Sequence, residues 1–128
     1  WGDGYDNVSI AVTTENQRMA DYRLPIYLSL PIKHKSIICE PLLEAMDISK
    51  YLTEFIESVS VGGESGPNAW VCNYDWVLDI RRQCVKANVG FDYHQTGAKL
   101  LKDGRLYSIP RNKQGEQAER ANIDFKKS

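Results

Sequence analysis

Four short apolar segments alternate along the chain with stretches patterned as helices, and this alternation restricts the fold more than any other feature. The segments are residues 7–13, 36–39, 58–61 and 89–93. Each is rich in β-branched or aromatic residues and stops in polar or glycine-containing sequence, as strands do. Strands separated by helices pair in parallel through right-handed crossovers. The predicted class is therefore α/β with four βα-type parallel strands. Two architectures fit it: a partial (half) TIM-like barrel, and a small open parallel sheet. The first segment, apolar on both alternations, is expected to be covered on both faces. An unclosed four-stranded sheet leaves two open edges, which associate readily.

The connections carry their own signals. Thr14 is followed three residues later by Gln17, the spacing of a capping box, so a helix is expected to start there and to carry Met19 and Ala20 inward. Pro25 predicts a break near Arg23 and a second short helix through Ile26, Leu28 and Leu30, ended by Pro31. Asp47 is placed to cap a helix carrying Ile48, Tyr51, Leu52 and Phe55. The clearest helix covers residues 74–87. Asn73 caps it, Asp75 sits near the positive end of its dipole, and Trp76, Ile80, Cys84 and Ala87 form one stripe before Asn88 at the exit. Asp103-Gly104 between short apolar runs predicts a hairpin, and residues 112–121 a short helix weakened by Gly115. The last residues are expected to fray. Residues 1–128 read as a single domain, with 98–128 as a peripheral hairpin and tail.

Charge and composition exclude whole classes of partner. With 16 basic and 17 acidic side chains the formal net charge is −1, which supports neither a nucleic-acid groove nor binding to an anionic membrane. The longest apolar runs are far short of a bilayer span, and Trp1-Gly2-Asp3-Gly4 has no basic region or apolar stretch of a signal peptide. The default compartment is cytoplasmic. Cys39, Cys72 and Cys84 lie 33 and 12 positions apart, without the short gap of a zinc knuckle or iron–sulfur loop, so they are expected to be buried thiols and no metal site is predicted. The chain has no Walker loop, dinucleotide-binding glycine fingerprint, nucleophile elbow or zincin motif.

Parallel βα folds bind ligands at the carboxyl ends of their strands. Polar residues fall at those ends here: Glu15 after the first, Glu40 after the second, Gly62, Gly63 and Glu64 after the third, His94 and Gln95 after the fourth. Each also has an ordinary explanation. Glu15 suits the first turn of a helix, and Arg23 can pair with it or with Asp21 instead of binding an anion. Glu40 and Glu64 need solvation or a partner in any case. Gly62 and Gly63 serve a tight turn or the close approach of a ligand. His94 fits a hydrogen-bonded structural histidine as well as a proton carrier, while Gln95 suits binding better than catalysis. His34 reads as a loop residue, and Trp70 and Trp76 as packing, with a cleft-lining role the alternative for Trp70.

At these strand ends the sequence resembles the gene-product-37/gene-product-68-like phage proteins, a family of unknown function. The resembling pieces are Val12-Thr13-Thr14-Glu15-Asn16-Gln17, Ala20-Asp21-Tyr22-Arg23-Leu24-Pro25, Cys39-Glu40-Pro41-Leu42-Leu43, Val61-Gly62-Gly63-Glu64-Ser65-Gly66, Trp76-Val77 with Ile80-Arg81 and Gln83-Cys84, and Gln95 with Gly97. Full-length members look like radical S-adenosylmethionine proteins whose N-terminal part holds a [4Fe–4S] cluster through three cysteines on a βα barrel. The resemblance covers only the later part of that plan, and the cysteine cluster is missing here. It implies the C-terminal portion of a larger barrel, with no cofactor of its own and with S-adenosylmethionine and the cluster belonging to a full-length protein. The implied partner is the missing N-terminal half, or a second copy joined through open sheet edges. Two departures stand out: Thr96 replaces an aromatic residue, and Gly62-Gly63-Glu64 matches a cofactor-binding motif that belongs near the early cysteine loop. The expected function is a pocket wall of a radical S-adenosylmethionine-like protein. A non-catalytic binding or assembly domain of phage origin is the alternative, and a magnesium- or manganese-dependent hydrolase using the rim carboxylates a third.

Overall fold

A computed structural model describes residues 8–128. The start of the first expected strand at Asn7 and the segment Trp1–Gly4 lie outside the described residues. Four strands, β1 (Ser9–Thr13), β2 (His34–Cys39), β3 (Ile56–Gly62) and β5 (Gly90–Gln95), form a parallel sheet in the order β1-β2-β3-β5. Between them run α1 (Gln17–Leu28), a single 3-10 turn (Ser49–Tyr51) and α2 (Tyr74–Ala87). A two-residue strand, β4 (Cys72–Asn73), pairs in parallel with β6 (Lys99–Lys102), which forms a hairpin with β7 (Arg105–Ser108). The chain then enters α3 (Arg111–Ala121). The sheet is open, not a closed barrel.

Strands laid down in chain order through crossovers of one hand place their connections on one face. One core results: Ala20 and Leu24 of α1 and Val77, Ile80 and Cys84 of α2 join Ile37, Cys39, Val59, Val61, Phe91 and Tyr93 from alternate strand positions. The intervening residues Ala11, Thr13, Ser36, Ser60, Asp92 and His94 are half-buried or exposed. The expectation that the first strand is covered on both faces therefore fails: Ser9, Ala11 and Thr13 are exposed. They are small or polar enough to stand in water, so a strand that scores as apolar throughout needs cover on one side only.

Several local expectations are corrected. The first helix is capped by Asn16, whose side chain accepts from the Met19 amide at 2.9 Å, because Thr14 is fully buried with its hydroxyl 3.6 Å from Cys39 Sγ. Pro25 does not break α1. It lies on the exposed face, where the carbonyl it orphans, on the exposed residue Asp21, is within reach of water. Asp47 does not cap a helix: it accepts from Ser49 N at 3.0 Å and Ser49 Oγ at 2.6 Å, but Ile48 holds the cap position with no side-chain bond, and only one 3-10 turn follows. Sheet pairing claims the chain from Ile56 onward, and Phe55 is left outside. His34 opens β2 and pairs with Glu57 at 2.6 Å.

Two glutamines hold the long loop after β2. Gln17 accepts from Asp47 N at 2.6 Å and donates to Asp47 O at 2.9 Å, while Gln83 accepts from Ile48 N and donates to Met46 O, both at 2.8 Å. One of the two sheet edges differs from the simple picture of an open sheet. The outer edge of β5 is occupied by the tail: Phe91 and Phe125 exchange backbone hydrogen bonds at 2.8 Å, and Asp124 accepts from Tyr93 N. On the outer side of β1 no strand is paired among the described residues.

Candidate functional site

The carboxyl ends of β2, β3 and β5 bring five of the predicted residues together. Parallel pairing sets Cys39 beside Val61 and Val61 beside Tyr93; the register then shifts by one residue, which sets Gly62 beside Gln95 with His94 as the extra residue on the β5 side. Glu40 leaves β2 through a cis peptide to Pro41. Its carboxylate lies against Gly62: a Cβ built there would meet Glu40 Oε1 at 2.5 Å. The same carboxylate meets His94 Nδ1 at 2.8 Å and accepts from Gln95 Nε2 at 3.3 Å. Glu40 thus bridges across β3 to β5.

Gln95 works inward as well. Its amide also donates to Gly63 O and accepts from Gly97 N. Around it, backbone packs on backbone. A Cβ on Gly63 would stand 2.6 Å from Thr96 O, and one on Gly97, whose φ is +80°, would stand 2.9 Å from Gly63 Cα. The space at both strand-three glycines is filled by the chain's own atoms. Thr96, the departure from the resembled family, is buried, with its hydroxyl on Gly97 O at 2.9 Å.

The other candidates lie apart from this cluster. Glu15 and Arg23 form their own pair at 3.3 Å, and Arg23 also donates to Thr13 O at 2.7 Å. Glu64 accepts from Trp70 N at 2.8 Å, closing the loop after β3. Trp70 is 72% exposed at that loop and packs against nothing that would shelter it, so its assignment to packing fails. Trp76 does pack against the core.

His94 is the reactive-looking member. Its side chain is 63% exposed against 27% for Glu40, so the pair has a sheltered carboxylate and an open imidazole. A carboxylate on Nδ1 fixes that nitrogen as the donor and leaves Nε2 to face solvent as the basic atom of the neutral ring. The hydrogen bond to Glu40 and its negative charge, with a smaller push from Asp92, hold the His94 pKa above its ordinary value near 6.5, against a small opposing effect of burial. The protonated form is the one favoured by folding. The pair's stabilisation is therefore full below about the ordinary histidine value and is lost as pH rises through the raised one. Glu40→Gln is expected to lower the His94 pKa toward its ordinary value, read from its ring proton shift in an NMR titration; an unmoved His94 titration would mean that Glu40 does not hold the ring.

Sequence reasoning missed Asp92. It alternates with His94 on β5 and so shares its face, a signal that strand periodicity contains. Ser60 donates to it at 3.2 Å, and burial together with neighbouring Asp124 pushes its carboxyl up.

The three cysteines are buried on separate elements. Burial drives Cys39 up to about 11 and Cys72 and Cys84 up to about 12, so all three are neutral thiols near pH 7. Cys39 also faces the core while His94 faces away from it, which rules out a pair between them. Among the described residues no three His, Cys, Asp or Glu side chains gather in a group able to hold a metal ion, and no helix is long and apolar enough to cross a membrane.

No curated protein and no solved structure matches the chain. The family described as "Protein of unknown function (DUF5131)" matches residues 2–124, nearly its whole length. The sheet and the Glu40–His94–Gln95 cluster both lie within that match, and the chain belongs to the DUF5131 family of proteins of unknown function.

Proposed function

We propose that this domain is the C-terminal half-barrel of a radical S-adenosylmethionine-like, phage-related protein, and that it supplies one wall of a cofactor or substrate pocket. The observation that supports this best is the Glu40 carboxylate reaching across β3 to His94 on the uncovered face of the sheet. A parallel sheet with helices on one face only, and a polar cluster at its carboxyl ends, has the form of a barrel wall seen from inside. The radical and phage-related parts rest on the sequence resemblance alone.

The residues here do not fit a [4Fe–4S] cluster. Its thiolate ligands would have to come from buried, neutral cysteines on separate elements, so the cluster belongs to residues outside this chain. What the chain contributes is binding and proton handling. Glu40 accepts from a ligand's ammonium or hydroxyl group while orienting His94, and His94 Nε2 takes or gives a proton at the mouth of the site. Gln95 positions Glu40, because its amide is engaged at each end.

Anaerobic reconstitution of the full-length protein should yield bound iron and cleavage of S-adenosylmethionine, and Glu40→Gln should weaken cofactor or substrate binding about tenfold. A reconstituted protein with no iron and no cofactor cleavage overturns the enzyme reading. The alternative, a binding or assembly domain, is favoured by the outer side of β1 and the sheet face away from the helices, neither of which is covered among the described residues. Light scattering tests it, and a chain that stays monomeric at all concentrations sinks assembly through that edge.

A further inference from the structure

A second site lies on the other side of β5. Tyr93 alternates with His94 and so faces the helices, where a cleft of about 280 Å³ opens between the start of α2, the β6–β7 hairpin and α3. Tyr93 forms part of its lining and is 3% exposed, and its hydroxyl has no hydrogen-bond partner among the described residues. A buried hydroxyl left unpaired is destabilising, and native proteins rarely keep one without a role. Burial, with Cys72 and Tyr74 nearby, pushes the Tyr93 pKa far up, so this group is a permanent hydrogen-bond donor.

The rest of the lining indicates what the donor would meet. The Tyr74 ring stands with its centroid 6.0 Å from that of Tyr93, tilted by 48°, and Leu100 completes an apolar wall. At the mouth, Lys102 Nζ lies 4.9 Å from the Tyr74 ring centre. Arg120 also reaches the mouth but is held by Glu116 at 3.1 Å, which leaves Lys102 as the charge that a ligand can claim. Among the described residues no carboxylate lines the cleft, and the acidic group that acts on Tyr74 is Asp103 on the hairpin turn. The volume is just below the roughly 300 Å³ at which pockets for drug-sized ligands begin. It suits a single ring with a polar group at either end.

We propose that this cleft binds a small aromatic acid. The ring lies between Tyr74 and Leu100, an acceptor oxygen at its inner end takes the Tyr93 hydrogen bond, and the carboxylate at its outer end meets Lys102. The two ends are separable with three probes. 4-Hydroxybenzoate carries both groups, benzoate lacks the inner oxygen, and 4-hydroxybenzyl alcohol lacks the charge.

The test is an NMR titration of the whole chain followed at the amides of Thr96, Leu100 and Ala121. 4-Hydroxybenzoate is expected to give saturable shifts, with each of the other probes about tenfold weaker. In Tyr93→Phe the two benzoates become equivalent, and in Lys102→Met 4-hydroxybenzoate and the alcohol become equivalent. Tyr93→Phe should melt no lower than the native chain, since it removes only an unpaired hydroxyl, so its loss of binding cannot come from unfolding. Absence of saturable shifts with 4-hydroxybenzoate overturns the proposal, as does an undiminished preference for it over benzoate in Tyr93→Phe.

Discussion

Gly97→Ala is expected to cost about 2–4 kcal/mol of stability, the largest loss for a methyl group added at any of the described glycines. Two penalties combine. The new Cβ would stand 2.9 Å from Gly63 Cα and 3.0 Å from Glu64 N, both backbone atoms that cannot rotate aside, and overpacking of this kind costs about 1–3 kcal/mol. The φ of +80° adds about 1 kcal/mol or more for any residue with a Cβ. Gly63→Ala attacks the same contact from the other strand, 2.6 Å from Thr96 O, and should cost about 1–3 kcal/mol. Because the two share one contact, the double variant should lose less than the sum. Gly66→Ala, which meets nothing within 4 Å, is the control and should be close to neutral. Urea denaturation measures all four. If Gly97→Ala unfolds at the same urea concentration as Gly66→Ala, the backbone contact between the ends of β3 and β5 is not there.

That contact matters for the site because it sets the strand ends on which Glu40 and His94 stand. Gly62→Ala, one residue away, should behave differently. Its Cβ meets the Glu40 carboxylate, the far end of a flexible side chain that can swing off at little cost. Neighbouring glycines thus have separate tasks, one for packing of backbone and one for seating a carboxylate.

Elements whose signals are local were legible in the sequence. Asn73 caps α2 by accepting from Asp75 N at 2.9 Å, and Asn88 ends it in the left-handed conformation. Asp103 and Gly104 turn the hairpin with φ of 53° and 77°. What failed depended on exposure. A proline on the wet side of a helix is tolerated, a threonine in the core cannot serve as a cap, and a strand with one open face looks doubly apolar when its exposed residues are small. The site was half legible. Strand ends located Glu40, His94 and Gln95, but the Glu40–His94 bond joins residues 54 apart in the chain, and no local pattern specifies it. Gln17 and Gln83, prominent in the resembling motifs, prove to be loop clamps.

Tyr27→Phe is the second substitution expected to be severe, at about 2–4 kcal/mol, although it removes a single oxygen. β1 is an edge strand whose alternate side chains stand in water, so packing alone secures it weakly. Side chains of α1 compensate. The Tyr27 hydroxyl donates to Ile10 O of β1 and accepts from Ser36 N of β2 at 3.0 Å, at the point where the pairing of β2 with β3 shifts register. Phenylalanine fills the same space and leaves a carbonyl and an amide without their partner, each costing about 1–3 kcal/mol less whatever water recovers. Arg23 holds Thr13 O at the far end of the strand and should limit the damage to the start of β1. Hydrogen exchange distinguishes this from global loosening: protection should fall at β1 and the start of β2 before it falls in β5. Tyr22→Phe, at a residue 64% exposed, should change nothing. Equal effects from the two variants would mean that the helix does not pin the strand, and that pairing with β2 alone holds β1 in place.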